Sequence, residues 1–302
     1  MRRVNLFLIG AAKSGTTALS EVLSHHKEIA SMVIKEPGHF CTDIYEKGFS
    51  REYAKLLRWS EKAYFEKNFQ KRHMSFIEKR ENYNKLVEET PKLRFVLDAS
   101  TAYLPSKKAA ENIVRYNSKA KIIICLRNPI TRAYSHFNMA VKYGKEKRSF
   151  LEALKAEAEV NARWGWEECY LKLGLYAPQI KRWLQHFDKK QIHIIWHEEL
   201  IMDPINTLKK VQNFLALSEP FKSVEEIHSA EVPKNKFIKV LIGFFPGGAS
   251  MLPANFKEKV KNLLLAKPKV INDAARSFLL RYFASSIKEL EDLLDKDLTH
   301  WK

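Results

Sequence analysis

Residues 10–17, Gly-Ala-Ala-Lys-Ser-Gly-Thr-Thr, place a lysine, a serine and two threonines within one glycine-containing turn. Four residues separate Gly10 from Gly15, as in the first half of the nucleoside-triphosphate motif G-x-x-x-x-G-K-[ST]. Thr16 stands where that motif has its lysine, and the lysine of this chain lies inside the turn, at Lys13. The turn keeps the parts of a phosphate cradle but moves its cation, which predicts a different phosphate compound or a different reaction.

The predicted cradle consists of backbone N–H groups at a helix N-terminus, to which side chains add further donors. Amides from about Ser14 to Thr17 can bind a phosphate, and Lys13 can reach its outer oxygens. Glycine-containing turns also join strands to helices without binding a ligand, but the combination of lysine, serine and two threonines favours a phosphate site. The predicted binding residues of this turn are Ala12, Lys13, Ser14, Gly15, Thr16 and Thr17.

A second anion site is predicted in residues 125–137, CLRNPITRAYSHF. Arg127 ends an apolar run, Pro129 suits the first turn of a following helix, and Ser135 comes two helical turns later. A guanidinium fork and a hydroxyl can hold a separate phosphate, although an arginine–carboxylate pair beside a capped helix is the alternative. Together, the two sites predict a nucleotide that is phosphorylated at two positions.

These turns need strands to carry them, and apolar runs alternate with helical patterns along the chain. The alternation predicts an α/β fold of the P-loop type, with a central parallel sheet and helices on both faces. Ligands of such sheets bind beyond the carboxyl ends of the strands, where Lys13, Asp98 and Arg127 are expected. The predicted strands are 4–9, 93–100, 121–129 and 191–200, and the predicted helices are 16–25, 106–116, 130–143, 175–187 and 204–215.

The chain is predicted to form a single domain over residues 1–302, because no Gly-, Pro- and Ser-rich linker divides it. The highly charged segment 45–90 is predicted to be a helical insertion, and residues 255–302 are predicted to be C-terminal helices. We expect the insertion and the segment 231–253 to form the cleft for a second substrate.

The formal charge of +17 favours an anionic partner, which includes nucleic acid, anionic lipid, acidic glycan and a phosphorylated cofactor. The basic residues are scattered, so a solubilising surface is an equal alternative. Three widely spaced cysteines argue against a zinc site or a disulfide framework and predict a cytoplasmic protein. No run reaches the roughly 18 apolar residues of a membrane-spanning helix, and peripheral membrane contact stays open.

Six segments, in this order, resemble sulfotransferases: FLIGAAKSGTTAL, KEPGHF, DASTAYL, LRNPITRAYSHF, YAPQIKRWLQHF and IIWHEELIMDP. The chain resembles the branch with heparan sulfate N- and O-sulfotransferases and bacterial carbohydrate sulfotransferases, over about residues 4–216. The resemblance implies 3′-phosphoadenosine 5′-phosphosulfate (PAPS) as donor, adenosine 3′,5′-bisphosphate (PAP) as product, and no metal. It also implies a hydroxyl or amine acceptor on a carbohydrate or glycolipid, and no nucleic-acid partner.

The resemblance also implies roles for individual residues. The Lys13 turn would hold the 5′-phosphosulfate, and Arg127 with Ser135 would hold the 3′-phosphate. Lys13 would then stabilise the negative charge that grows on the bridging oxygen as the bond to sulfur breaks. Glu36 in KEPGHF matches the general base of the family, and His39 would assist it or position the acceptor. The alternatives are a surface salt bridge for Glu36 and a backbone contact for His39.

Two departures from the heparan enzymes stand out. Those enzymes usually have a lysine where this chain has Ala99, so a second cation is missing or comes from elsewhere, such as Lys35. No cysteine follows Cys169, so the disulfide-bridged hairpin of the animal enzymes cannot form. The stretch 231–239 is predicted to close over the 3′-phosphate, with Lys234 or the nearby Lys236 as its contact.

Two other classes of protein remain as alternatives. A P-loop kinase or ATPase needs a lysine directly before its hydroxyl residue and an acidic strand end for magnesium; the first is absent, and Asp98 is a poor candidate for the second. A non-catalytic module for anionic glycans or nucleic acid would bind with a strong dependence on salt and without turnover. Such a module does not explain why Lys13, Arg127 and Ser135 lie at strand-to-helix turns.

Overall fold

The computed structural model describes residues 2–47, 60–66, 71–160, 169–221 and 271–302. The strands in these ranges are β1 (Leu6–Leu8), β2 (Ile29–Ser31), β3 (Ile34–Lys35), β4 (Arg72–His73), β5 (Phe95–Ala99), β6 (Lys121–Leu126) and β7 (Ile192–Trp196). Five of them form a parallel sheet in the order β2-β5-β1-β6-β7. The other two, β3 and β4, pair in parallel as a separate two-stranded sheet.

Helices cover both faces of the central sheet. The helices in the described ranges are α1 (Thr16–Ser24), α2 (Thr42–Lys47), α3 (Glu61–Phe65), α4 (Arg80–Glu88), α5 (Ala109–Tyr116), α6 (Pro129–Lys142), α7 (Phe150–Glu159), α8 (Tyr176–Leu184), α9 (His197–Met202), α10 (Pro204–Leu215) and α11 (Asp273–Leu294). Local sequence explains where several of them begin. Asn128 caps α6 through Ile130 N–H, with Pro129 in its first turn, and Ser149 with Glu152 forms a capping box on α7.

The core lies in two layers, one on each face of the sheet. Leu6 and Leu8 of β1 belong to the layer shared with α1, α9 and α10, whereas Phe7 between them belongs to the opposite layer. That alternation is the period of two that an extended strand imposes on its side chains. The strand β6 is apolar and buried throughout except for Lys121, as expected of a strand covered on both faces. Each fully buried large apolar side chain contributes about 1.5–3 kcal/mol.

The predicted parallel sheet with helices on both faces is confirmed, and β1, β5, β6 and β7 lie where the apolar runs placed them. The strands β2, β3 and β4 were not predicted. The described part of segment 45–90 contains β4 as well as α3 and α4, and the described part of 255–302 contains α11 and a 3₁₀ turn at Thr299–Trp301. The single-domain assignment stays a prediction.

The three cysteines, Cys41, Cys125 and Cys169, are free and buried. No helix within the described ranges is both long enough and apolar enough to cross a membrane.

Candidate active site

The first predicted turn joins β1 to α1 at the carboxyl edge of the sheet. Gly15 is the N-cap of α1, with φ of +80°, and no side chain caps that helix end. Glycine is favoured there for its positive φ and also for space, because a Cβ at this position would lie 3.1 Å from His197 Cδ2. The uncapped first turn of α1 carries no acidic residue, so its amide groups and dipole favour an anion.

The side chains of this turn differ in exposure. Ser14 is fully buried. Its hydroxyl lies beside that of Tyr176, whose pKa burial raises to about 12 and Ser14 lowers by hydrogen bonding. Thr16 is buried and Ala12 is half-buried, whereas Thr17 is exposed and its Oγ1 accepts a hydrogen bond from Lys35 Nζ at 2.7 Å.

Lys13 lies in a cluster of cations. Burial, and then the charges of Arg127, Arg132 and Lys142, lower the pKa of its ammonium to about 8, and the charge of Glu36 opposes this shift. Its Nζ lies 3.2 Å from Met139 Sδ. An anion in this cluster would relieve the repulsion among the cations, so the surroundings of Lys13 suit a multiply charged anionic ligand.

Arg127 links the two predicted anion sites. Its Nη1 donates to the carbonyl oxygen of Lys13 at 3.2 Å, and its Nε donates to Thr131 Oγ1 at 3.0 Å. Ser135 is half-buried and comes four residues after Thr131 on α6, so both hydroxyls lie on the same face of the helix. The structure therefore brings Lys13 and Arg127 together at this edge of the sheet, and Ser135 lies on the face of α6 that carries Thr131.

Glu36 follows β3 and has a largely buried side chain, 13% exposed. Its Oε2 accepts a hydrogen bond from Thr101 Oγ1 at 3.0 Å, and its Oε1 lies 3.5 Å from His73 Nε2 and 4.0 Å from Lys35 Nζ. Burial raises the pKa of Glu36, but His73, Lys35 and Thr101 outweigh burial and lower it overall. The carboxylate is therefore ionised at neutral pH, as a proton acceptor must be.

The loop that carries Glu36 is attached to the end of β5. The Glu36 N–H donates to the carbonyl oxygen of Ala99 at 3.1 Å, and the Gly38 N–H donates to Ser100 Oγ at 3.2 Å. Ser100 in turn donates to the buried carboxylate of Asp98, whose pKa burial raises to about 6. Three hydroxyls donate to that carboxylate, those of Tyr83, Ser100 and Tyr103, at 2.6–2.8 Å. Asp98 thus anchors the loop.

His39 has structural contacts. Its Nδ1 lies 2.7 Å from the carbonyl oxygen of Ile77, to which it donates, and its ring stacks on Tyr83 with centroids 4.4 Å apart. Burial lowers the pKa of the ring. These contacts correspond to the backbone-binding alternative, and a catalytic role for His39 stays a prediction.

Sequence reasoning missed several residues of the site. Arg132 is fully buried, one of its guanidinium nitrogens donates to the carbonyl oxygen of Tyr170, and Nε and Nη1 have no partner within the described ranges. Its signal was present as the second arginine of RNPITR. Thr101 and His73 gave no such signal, because long-range packing brings them to Glu36. The segment 231–239, with Lys234 and Lys236, lies outside the described residues.

Comparison with known proteins supports one family. Residues 3–239 match the profile of the family described as sulfotransferase domain. Mouse heparan sulfate glucosamine 3-O-sulfotransferase 3B1 is 28% identical over 214 residues, which cover 70% of this chain and 45% of that protein. The bifunctional heparan sulfate N-deacetylase/N-sulfotransferase 1 of Xenopus laevis is 27% identical over 96% of this chain and 30% of that protein. The chain thus spans about half or less of the length of these curated relatives.

A solved structure of similar size also matches. The crystal structure of a sulfotransferase from Alicyclobacillus acidocaldarius is 26% identical and superposes with a TM-score of 0.71, covering 100% of this chain and 99% of that one. The similarity therefore extends over the whole fold and is not confined to the two anion-binding turns.

Proposed function

The chain belongs to the sulfotransferase domain family, and we propose that it transfers the sulfuryl group of PAPS to a hydroxyl or amine of a carbohydrate or glycolipid. One observation carries the proposal beyond the family: a hydrogen bond of 3.2 Å from Arg127 Nη1 to the Lys13 carbonyl joins two anion-binding turns at one sheet edge. A donor with a 5′-phosphosulfate and a separate 3′-phosphate requires two such neighbouring sites.

The residues present fit such a donor. Around Lys13 lie the charges of Arg127, Arg132 and Lys142, opposed by that of Glu36, and the neighbouring Ser14 hydroxyl is buried. In the proposed complex, the Lys13 turn and the first turn of α1 hold the 5′-phosphosulfate. Arg127 and Ser135 hold the 3′-phosphate, and a guanidinium suits a phosphate because it donates through two parallel N–H groups.

Two side chains take the central chemical roles. Lys13 balances the charge that develops on the phosphate oxygen when its bond to sulfur breaks, which is electrostatic stabilisation of a leaving group. Glu36 accepts the proton that the acceptor hydroxyl or amine loses as its new bond to sulfur forms. The lowered pKa of Glu36 keeps this carboxylate ionised before each turnover. Transfer by in-line displacement uses both groups at once.

Lys35 is proposed as the second cation of the site. Position 99 carries an alanine, whereas Lys35 Nζ lies 2.7 Å from Thr17 Oγ1 in the first turn of α1 and 4.0 Å from Glu36 Oε1. An ammonium between the cradle and the base is placed to neutralise the transferring sulfuryl group.

A glycan acceptor is supported by the curated relatives, which are heparan sulfate sulfotransferases by name, and the +17 charge favours an acidic acceptor. The names include both a 3-O- and an N-sulfotransferase, so the proposal covers hydroxyl and amine acceptors alike. We also propose a cytoplasmic location, supported by the three free cysteines.

The alternatives fit less well. A kinase or ATPase would need a carboxylate for magnesium, but the oxygens of Asp98 already accept hydrogen bonds from three buried hydroxyls. A binding module would explain the charge but gives no reason for an ionised, buried Glu36 beside the cation cluster.

Turnover with sulfur-labelled PAPS against a panel of glycans, glycolipids and small sugars tests the proposal. We expect label to move to at least one acceptor, and PAP to raise the melting temperature more than ATP does. Stabilisation by ATP with magnesium but not by PAP, together with no transfer to any acceptor, would contradict the proposed function.

A further inference from the structure

The short strand β4 places a histidine against the proposed base. In the β3–β4 ladder His73 is the partner of Lys35, and the residues that follow continue the pairing. Met74 N–H donates to the carbonyl oxygen of Lys35 at 2.8 Å, and Ser75 N–H donates to that of Glu36 at 3.0 Å. These backbone bonds fix the neighbourhood in which His73 Nε2 lies 3.5 Å from Glu36 Oε1.

A general base must lose its proton to solvent before the next turnover, and burial limits the access of water to Glu36. Its side chain is 13% exposed, whereas that of His73 is 60% exposed. The other two groups beside the Glu36 carboxyl are the Thr101 hydroxyl, which is buried and donates to it, and the Lys35 ammonium, which is a cation. Among these three neighbours, the imidazole is the group with one ring nitrogen to accept the proton and a second, on an exposed ring, to release a proton to water.

We propose that His73 relays the proton from Glu36 to solvent after each sulfuryl transfer. The inference rests on the proposed function, because it assigns Glu36 as the base. The protonated Glu36 donates its proton to the lone pair of Nε2 on the neutral ring that carries its hydrogen on Nδ1. The resulting imidazolium releases the Nδ1 proton to water, which leaves Glu36 ionised and the ring neutral. The hydrogen that remains on the ring is on Nε2, and exchange of the exposed ring with solvent returns it to Nδ1 before the next turnover. Each cycle thus moves one proton from Glu36 to water.

The charges around the pair favour this direction of transfer. Lys35 and Lys13 both lie close enough to act on the Glu36 charge, and they favour its ionised form. The carboxylates of Asp98 and Glu36 repel each other, and three hydroxyls donate hydrogen bonds to that of Asp98. The cations on the cradle side therefore push the proton away from Glu36, and His73 lies on its exposed side.

The test compares His73→Ala with His73→Gln, which retains an N–H donor for Glu36 but cannot relay a proton. We expect both to lower kcat by about 10- to 100-fold, below the ~10²–10⁴-fold of a direct general base, with unchanged affinity for PAP. Added imidazole is expected to restore turnover of His73→Ala in proportion to its free-base fraction, because the site of His73 is exposed. Lys71→Ala on the same segment and His25→Ala at the end of α1 are controls that imidazole leaves unchanged.

Three results would overturn the relay: normal turnover of His73→Ala, normal turnover of His73→Gln, or a loss in His73→Ala that imidazole does not restore. Melting temperatures of the variants confirm that each remains folded. The unmodified chain is assayed first, because an inactive unmodified chain contradicts the proposed function itself. An active unmodified chain with an unaffected His73→Ala contradicts only the relay.

Discussion

Binding of PAP, which is the donor without its sulfuryl group, is expected to be coupled to proton uptake by Lys13. The number of protons taken up follows from the pKa of Lys13 in the free protein. Burial, together with Arg127, Arg132 and Lys142, holds the pKa of Lys13 at about 8, below the ordinary 10.5. The negative charge of bound PAP reverses the repulsion and returns the pKa towards its ordinary range. At pH 9 about nine-tenths of the free protein carries a neutral Lys13, so binding takes up about 0.9 proton, compared with about 0.5 at pH 8 and about 0.1 at pH 7.

Affinity must change together with proton uptake. When binding needs the charged lysine, the dissociation constant for PAP rises towards tenfold per pH unit above pH 8, until the pKa of the complex is reached. The second pKa of a phosphate group is about 6, so the phosphates of the ligand contribute little at pH 8–9. Asp98, with a pKa of about 6, and Tyr176, with a pKa of about 12, do not titrate in that window.

Isothermal titration calorimetry in buffers of different ionisation enthalpy measures the uptake directly. Lys13→Arg is the matched variant, because a guanidinium keeps the charge but does not titrate below pH 10. We expect Lys13→Arg to bind PAP without uptake at pH 9, and Ser135→Ala to bind more weakly with the uptake unchanged. Binding of PAP to the unmodified chain at pH 9 without proton uptake would refute the assignment of Lys13 to the phosphate cradle.

Three further predictions concern the residues around the cradle. Arg127→Ala, and Ser135→Ala to a smaller extent, are expected to weaken binding of PAP but barely that of its 3′-dephosphorylated analogue, and equal losses for both nucleotides in titrations would show that Arg127 does not bind the 3′-phosphate. Lys35→Gln should lower kcat more than donor affinity and should move the acidic limb of the pH–rate profile to higher pH, because Lys35 lowers the pKa of Glu36. An acidic limb at the same pH in both proteins would show that Lys35 does not act on the ionisation of Glu36. Asp98→Asn should cost about 1–3 kcal/mol in denaturant unfolding below pH 4, because the amide NH2 replaces an oxygen that accepts from a buried hydroxyl and leaves that donor without an acceptor. Because burial raises the pKa of Asp98 from 3.8 to about 6, its contribution to stability is greatest below pH 4 and is lost as pH rises to about 6; a stability difference between the two proteins that is constant over this range would contradict the assignment.

The apolar runs of the sequence were sufficient to predict four strands of the central sheet, β1, β5, β6 and β7. The strands β1, β5 and β6 are apolar runs that end in chemically distinctive turns, so Lys13, Asp98 and Arg127 could be assigned to one edge of the sheet. Sheet order was not predictable from these runs, because β5 pairs with β1 only after a connection of more than 80 residues. The strand β2 has three residues, which is too few to show a period.

The base and its surroundings were only partly predictable. Glu36 was identified through a resemblance, but two of its partners, His73 and Thr101, come from distant segments that backbone pairing brings to it. The two-residue strands β3 and β4 bring His73 beside Glu36, and no local propensity indicates such a pairing. Asp98 illustrates the opposite case, since its position at a strand end suggested chemistry, whereas its buried hydrogen bonds give it the role of an anchor for the loop.

Single-turnover transfer from sulfur-labelled PAPS, compared between the unmodified chain and Glu36→Gln, tests the central claim most directly. Glutamine keeps the size and the hydrogen bonding of the side chain but cannot accept the proton, so donor affinity should persist. We expect the unmodified chain to move label to a glycan acceptor and Glu36→Gln to do so about 10²–10⁴-fold more slowly. Equal rates for the two proteins on the same acceptor, at saturating donor, would contradict the account of Glu36 as the base of a sulfuryl transfer.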